Sequence, residues 1–133
     1  MIIITPEIKD KVLADLLSAD EPTFTLEYRD SQDEYGFSPQ YMKLILDQFQ
    51  DVGLIKATYL TGYRARIHVL AKAMDLHRHG GFVGEEEILK GNLEKLGLEL
   101  ESLSKQLQPN HIEHASHISQ IASAIMQGLT LFQ

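Results

Sequence analysis

The apolar positions of this chain change period several times, and each change marks an element. Ile8, Val12, Leu13, Leu16 and Leu17 recur at helical spacing behind Thr5-Pro6-Glu7. Those three residues form a helix start: a hydroxyl cap, a proline whose missing N–H costs nothing in the first turn, and an acid at the positive dipole end. "FTLEYRD" then alternates Phe24, Leu26 and Tyr28 against Thr25, Glu27 and Arg29, the period of a half-buried strand. The polar run "RDSQDEYG" reads as a loop. Ser38-Pro39 repeats the cap-and-proline start. Tyr41, Met42, Ile45, Leu46, Phe49 and Val52 fall on one face of the helix that follows, Gln40, Lys43, Asp47 and Gln50 on the other, and Gly53 ends it as a C′ residue.

Two strand-like runs, "LIKATYL" and "YRARIHVL", surround Thr61-Gly62, and side-chain alternation decides how they join. A two-residue loop of Thr61 and Gly62 would put Ile55, Ala57 and Tyr59 on the same face as Arg64, Arg66 and His68. A three-residue loop of Leu60, Thr61 and Gly62 instead sets them beside Tyr63, Ala65 and Ile67, with Gly62 at the left-handed position of a bulged turn. Lys56, Thr58, Arg64, Arg66 and His68 then share the other face. The hairpin therefore gains an apolar side and a basic side. "AKAMDLHRHGG" reads as a short closing helix, with Met74 inward and Gly80-Gly81 at its end.

From Glu85 onward the pattern becomes purely helical. Leu89, Leu93, Leu96, Leu100, Leu103 and Leu107 recur at alternating spacings of four and three, a seam that requires a helical partner. Pro109-Asn110 breaks that helix, and Ile112, Ala115, Ile118, Ala122, Ile125 and Leu129 form the stripe of a last one. The partner of the seam is that last helix folded back, a second copy, or both. Ile88 and Leu98 lie off the main seam, which points to a homodimer, with Ile118 and Ile125 joining the leucines at its interface. Gly91 and Gly97 each weaken the helix by roughly 1 kcal/mol relative to alanine, so tertiary contacts must support it.

Composition narrows the function. At 133 residues with 44% hydrophobic positions, the chain can bury a core. Its formal net charge of −7 disfavours general attraction to phosphate or anionic lipid, so a nucleic-acid contact needs a local basic patch. Cysteine is absent, which removes disulfides, thiolate catalysis and zinc-finger chemistry. "MIIITPE" lacks the n- and h-regions of a signal peptide, and no apolar run approaches the roughly 20 residues of a membrane span. A cytoplasmic protein without membrane contact is expected.

Helix, strand, a capped helix ending in Gly-Leu-Ile, and a hairpin resemble the winged helix-turn-helix superfamily of bacterial and phage regulators. The likeness is carried by "SPQYMKLILDQFQDVGLI", "KATYLTGYRARIHVL" and "AKAMDLHRHGG", within residues 5 to 82. It implies an α+β winged-helix domain over residues 1–82, with a three-helix core and a small antiparallel sheet, and a two-helix coiled-coil-like arm over residues 83–133. The helix over 38–52 would be the recognition helix and 55–70 the wing. The leucine-rich pair looks like the dimerisation arm of regulators similar to the PadR group.

Two functions fit. One is a dimeric transcriptional regulator in which Lys56, Arg64, Arg66 and His68 hold the phosphates of double-stranded DNA while Ser38, Gln40 and Lys43 approach the major groove. The other is a winged-helix protein-interaction module without DNA binding, suggested by the acidic charge, the brief "SQDEYGF" ahead of Ser38 and the balance of Lys43 against Asp47. His111, His114 and His117 turn progressively around their helix, and His77 and His79 with Asp75 stand at a helix end. Both groups read as polar surface rather than metal ligands. With no phosphate loop and no nucleophile constellation, neither an enzyme nor a cofactor or small-molecule substrate is expected.

Overall fold

Thr5 caps α1 (Pro6–Leu17) as its position predicts: its hydroxyl accepts from the Ile8 N–H, with Pro6 in the first turn. The structure, a computed structural model, describes residues 1–107 and 111–130 and divides into two units, Met1–Gly84 and Glu85–Gln133. The predicted break at Pro109-Asn110 lies outside the described residues.

Unit 1 is α+β. After α1 come β1 (Thr23–Glu27), α2 (Ser31–Tyr35), α3 (Pro39–Asp51), β2 (Ile55–Leu60), β3 (Arg64–Val69) and α4 (Ala71–Arg78). The three strands form one antiparallel sheet in the order β1-β3-β2. α1 packs against α4, and α3 packs on β2. Val12, Leu13 and Leu16 of α1 meet Met42, Ile45, Leu46 and Phe49 of α3 in the core, closed by Ile55, Ala65 and Ile67 from the sheet and Ala73 and Leu76 from α4. Full burial of each large apolar chain contributes about 1.5–3 kcal/mol, so Leu13, Phe37 and Phe49 are among the principal supports. Phe82 adds a stacked ring on Phe49, centroids 5.4 Å apart.

The α3 terminus is a Schellman cap. Leu54 N donates to Phe49 O at 2.8 Å and Gly53 N to Gln50 O at 3.1 Å, with Gly53 at φ 81°. These two bonds satisfy the last helical carbonyls and turn the chain directly into β2.

Several expectations need correction. "RDSQDEYG" is not a loop throughout: Asp33 and Glu34 N–H groups donate to Asp30 O, and Ser31 Oγ donates to Phe37 O at 3.0 Å, winding Ser31–Tyr35 into a short helix. Ser38 occupies the N-cap position of α3 but makes no side-chain cap bond. Val52 is exposed, because the helix ends as it leaves the core face. Met74 is also exposed: the inward face of α4 is set by Ala73 and Leu76, one turn apart, and Met74 lies off it.

The hairpin loop is Thr61, Gly62 and Tyr63, not Leu60 to Gly62. Ile55 pairs with Val69, Ala57 with Ile67 and Tyr59 with Ala65, a shift of two residues. A shift of two preserves every side-chain face, so the apolar and basic sides come out as expected. Gly62 has φ 76° and Tyr63 φ 56°. The left-handed tyrosine is held by Tyr28 N donating to its carbonyl at 2.9 Å and by an edge-on contact between the two rings.

The long helix α5 (Gly81–Leu107) starts ahead of Glu85 because the Asp10 carboxylate accepts from Phe82 N at 2.6 Å and Val83 N at 3.1 Å, satisfying two first-turn donors. Gly81, at φ 69°, lies against that carboxylate, where a Cβ would collide with it.

Unit 2 pairs the rest of α5 with α6 (Ile112–Leu129) in antiparallel fashion. Ser104 Oγ donates to Ala115 O at 2.6 Å, while Gly97 faces Met126 and Ile125. The buried residues of the pair are Gly97, Ser104, Ala115, Ala122 and Leu129. Small side chains permit this close approach, and the predicted leucine seam is only partly drawn into the contact. Leu93, Leu100 and Leu107 are half-buried, as are Ile118 and Ile125, but Leu89, Leu96 and Leu103 are exposed. Ile112, expected on the α6 stripe, is exposed as well.

Candidate nucleic-acid interface

Strict alternation on β2 and β3 sends Lys56, Thr58, Leu60, Arg64, Arg66 and His68 to the solvent face of the sheet. β1 completes that face with Thr23, Thr25 and Glu27, also exposed. Register fixes the neighbours. Across the sheet run Thr23, His68 and Lys56; then Thr25, Arg66 and Thr58; then Glu27, Arg64 and Leu60.

Each β3 side chain is steadied locally. Arg66 Nη1 donates to Thr25 Oγ1 at 3.2 Å, His68 Nδ1 lies 2.7 Å from Thr23 Oγ1, and Arg64 Nε donates to Thr61 O at 3.0 Å. Arg29 extends the patch at the hairpin turn, its Nη2 3.5 Å from where a Cβ on Gly62 would stand. Arg29 was not among the expected contacts, although its place opposite Tyr28 in the β1 alternation assigns it to this side. Glu27 sits opposite Arg64 in register. Among the described residues, however, ion pairs occur only within α5, at Lys95–Glu99 and Lys105–Glu101. The guanidinium forks of Arg64 and Arg66 thus retain donors for an external oxyanion.

Ser38, Gln40 and Lys43 do not join this surface. They lie on α3, which packs against the other face of the sheet. Lys43 Nζ sits over the Tyr59 ring, 4.8 Å from its centroid, and the Tyr59 hydroxyl donates to Asp47. Gln50 Oε1 accepts from Ala57 N at 2.6 Å, covering part of the β2 edge. α1 repeats the arrangement: Lys11 lies over Tyr35, whose hydroxyl donates to Asp15. In both, a lysine and an aspartate four residues apart hold a tyrosine from another element. Burial first, and then the hydrogen bond to aspartate, raise the Tyr59 and Tyr35 hydroxyls well above their ordinary pKa. What remains on the open side of α3 is Gln40, Leu44, Gln48 and Asp51, a neutral-to-acidic strip without the arginine that reads guanine bidentately.

The histidine groups show no ligand geometry. His111 and His114 have ring centroids 6.1 Å apart, and no cluster able to hold a metal occurs among the described residues. No described helix is long and apolar enough to cross a membrane. No protein-family model, curated protein or solved structure matches the chain.

Proposed function

We propose that unit 1 is a winged-helix-type module that holds the phosphate backbone of double-stranded DNA on the outer face of its sheet. The element order supports this reading: helix, strand, capped helix and hairpin follow one another as the sequence resemblance implies, with the five-residue α2 standing where the resemblance implies a full helix. The observation that carries it is the cationic row of Arg64 and Arg66 on the central strand, with Lys56 and His68 beside them and threonine hydroxyls between strands. Arginine forks grip phosphate oxygens in pairs, and hydroxyls add neutral donors. A surface of this kind supplies affinity rather than base discrimination. The strip on α3 adds little, so binding depends strongly on salt and weakly on sequence.

Fluorescence anisotropy of a labelled duplex across a salt series tests the proposal. Arg64→Ala/Arg66→Ala is expected to weaken binding and to lower the slope of log Kobs against log salt by about two, roughly one per lost phosphate contact. A wild-type protein that ignores duplex DNA at low salt, or a double variant that binds with unchanged slope, overturns it.

One observation favours a second reading. Leu44 is exposed on α3 between Gln40 and Gln48, and a large apolar side chain amid neutral neighbours suits a protein surface better than a phosphate groove. Under that reading the module binds a protein through α3, and duplex DNA at low salt gives no anisotropy change.

A further inference from the structure

The helix pair of unit 2 has two unlike sides. At about 100° per residue, Leu89, Leu96 and Leu103 share one flank of the α5 contact line that runs through Gly97 and Ser104. Ile118, Ile121 and Ile125 share one flank of the α6 line through Ala115 and Ala122. Both flanks are reached by turning in the same sense from their contact lines, and the helices are antiparallel. The two rows therefore lie on the same side of the pair. The opposite side is a mixed groove in which Ser104, Ser116, Ser119 and Gln120 alternate with Ile112 and Ala115, continued by Glu101 and Ser123 beside Ala122 and Met126.

On the aliphatic side, Leu89, Leu96, Leu103 and Ile121 remain 50%, 43%, 41% and 53% exposed. The reason is local. Glycine, serine and alanine bring the helix axes together, and the branched side chains beside them cannot follow into so narrow a contact. We infer that this side is the interface for a second copy of the chain, so that two helix pairs close as a four-helix bundle.

The occupant follows from composition and size. Between Leu89 and Leu107 the leucine row of α5 contains no charged residue, while the α6 row continues from Ile118 and Ile121 into His111 and His114. Aliphatic rows spaced by sevens on α5 fit the same rows turned by a two-fold axis, as an isologous contact requires. With a rise of about 1.5 Å per residue and a helix diameter of about 10 Å, the two-helix face spans roughly 27 by 20 Å. Its corrugated surface is then on the scale of the about 800 Å² per partner that a specific interface buries.

Light scattering of the full chain over a dilution series, without nucleic acid, tests the inference independently of the phosphate-binding reading. The expected mass is twice 15.0 kDa. Leu96→Glu/Ile121→Glu is expected to be monomeric with its helical circular dichroism intact, whereas Ser119→Glu/Ser123→Glu on the groove side remains dimeric. A monomeric wild type, a heavier assembly, or a dimer that survives Leu96→Glu/Ile121→Glu overturns it. Should the glutamate pair fail to fold, Leu96→Cys provides a second measurement in a chain without native cysteine. Its thiol is expected to be protected at high concentration and reactive after dilution; equal reactivity at both concentrations counts against the interface.

Discussion

Unit 1 and unit 2 handle apolar residues in opposite ways. In unit 1 the large ones converge: Leu13, Phe37, Ile45, Phe49 and Ile67 are all buried, contributed by helices, sheet and a connecting loop. In unit 2 Leu129 is the one large apolar side chain buried among the described residues; the others are half-buried or exposed beside a contact made by Gly97, Ser104, Ala115 and Ala122. A sheet covered on one face by helices surrounds its core from several directions. Two helices can cover only one strip of each other. A full set of leucines is therefore satisfied inside a unit of the first kind and left partly in water by one of the second.

The most severe way to break this contrast is Phe49→Ala. Removal of a fully buried ring that also stacks on Phe82 is expected to cost unit 1 about 3–5 kcal/mol, read as a lowered midpoint in urea. A loss below about 1 kcal/mol would mean that the core is not organised around α3.

A smaller effect is expected at the edge of that core. Tyr59→Phe deletes the hydrogen bond to Asp47 and should cost about 1.5 kcal/mol, as for a bond to a charged acceptor. Its pH dependence has a definite sign. The folded state holds the Tyr59 hydroxyl above its ordinary value, so above about pH 10 the unfolded chain loses that proton first. Stability is complete below that pH and falls as pH rises toward the folded pKa. Tyr59→Phe is expected to flatten this alkaline decline and leave the parts due to Tyr35 and Tyr28, whose hydroxyls are also raised, first of all by burial. An unchanged alkaline profile would contradict the assignment.

The mildest test belongs to unit 2. A Cβ at Gly91 meets nothing within 4 Å, whereas one at Gly97 comes within 2.9 Å of Met126 Sδ and 3.5 Å of Ile125 Cγ2. Gly91→Ala should stabilise the helix by about 1 kcal/mol; at Gly97 the same gain is offset by crowding. Thermal melts of the two variants are expected to separate, with Gly91→Ala higher. Identical gains would show that the helices are not in close contact at Gly97.

Much of the fold was legible along the chain because its determinants are local. Thr5-Pro6-Glu7 starts α1, Gly53 turns α3 into β2, and the alternation of "YRARIHVL" sends Arg64, Arg66 and His68 to one side of the sheet. Even with the hairpin loop displaced by one residue and the pairing register by two, that side was right, since faces depend only on parity. The short α2 was harder to read. Its backbone bonds and the Ser31 contact with Phe37 O arise from how the loop is held, and no periodicity announces a single turn.

The candidate surface divides along the same line. Membership of Lys56, Arg64, Arg66 and His68 in one face was fixed by sequence, because a strand has only two faces. The place of Lys43 was decided by tertiary structure, since Tyr59 comes from a different element and occupies its ammonium. The leucine row of α5 shows the same limit most plainly. Its spacing establishes that one side of the helix is oily, but not which strip the next helix touches. That choice went to Gly97 and Ser104 because close approach is set by the smallest side chains on both helices together, a property that belongs to the pair and to neither sequence segment alone.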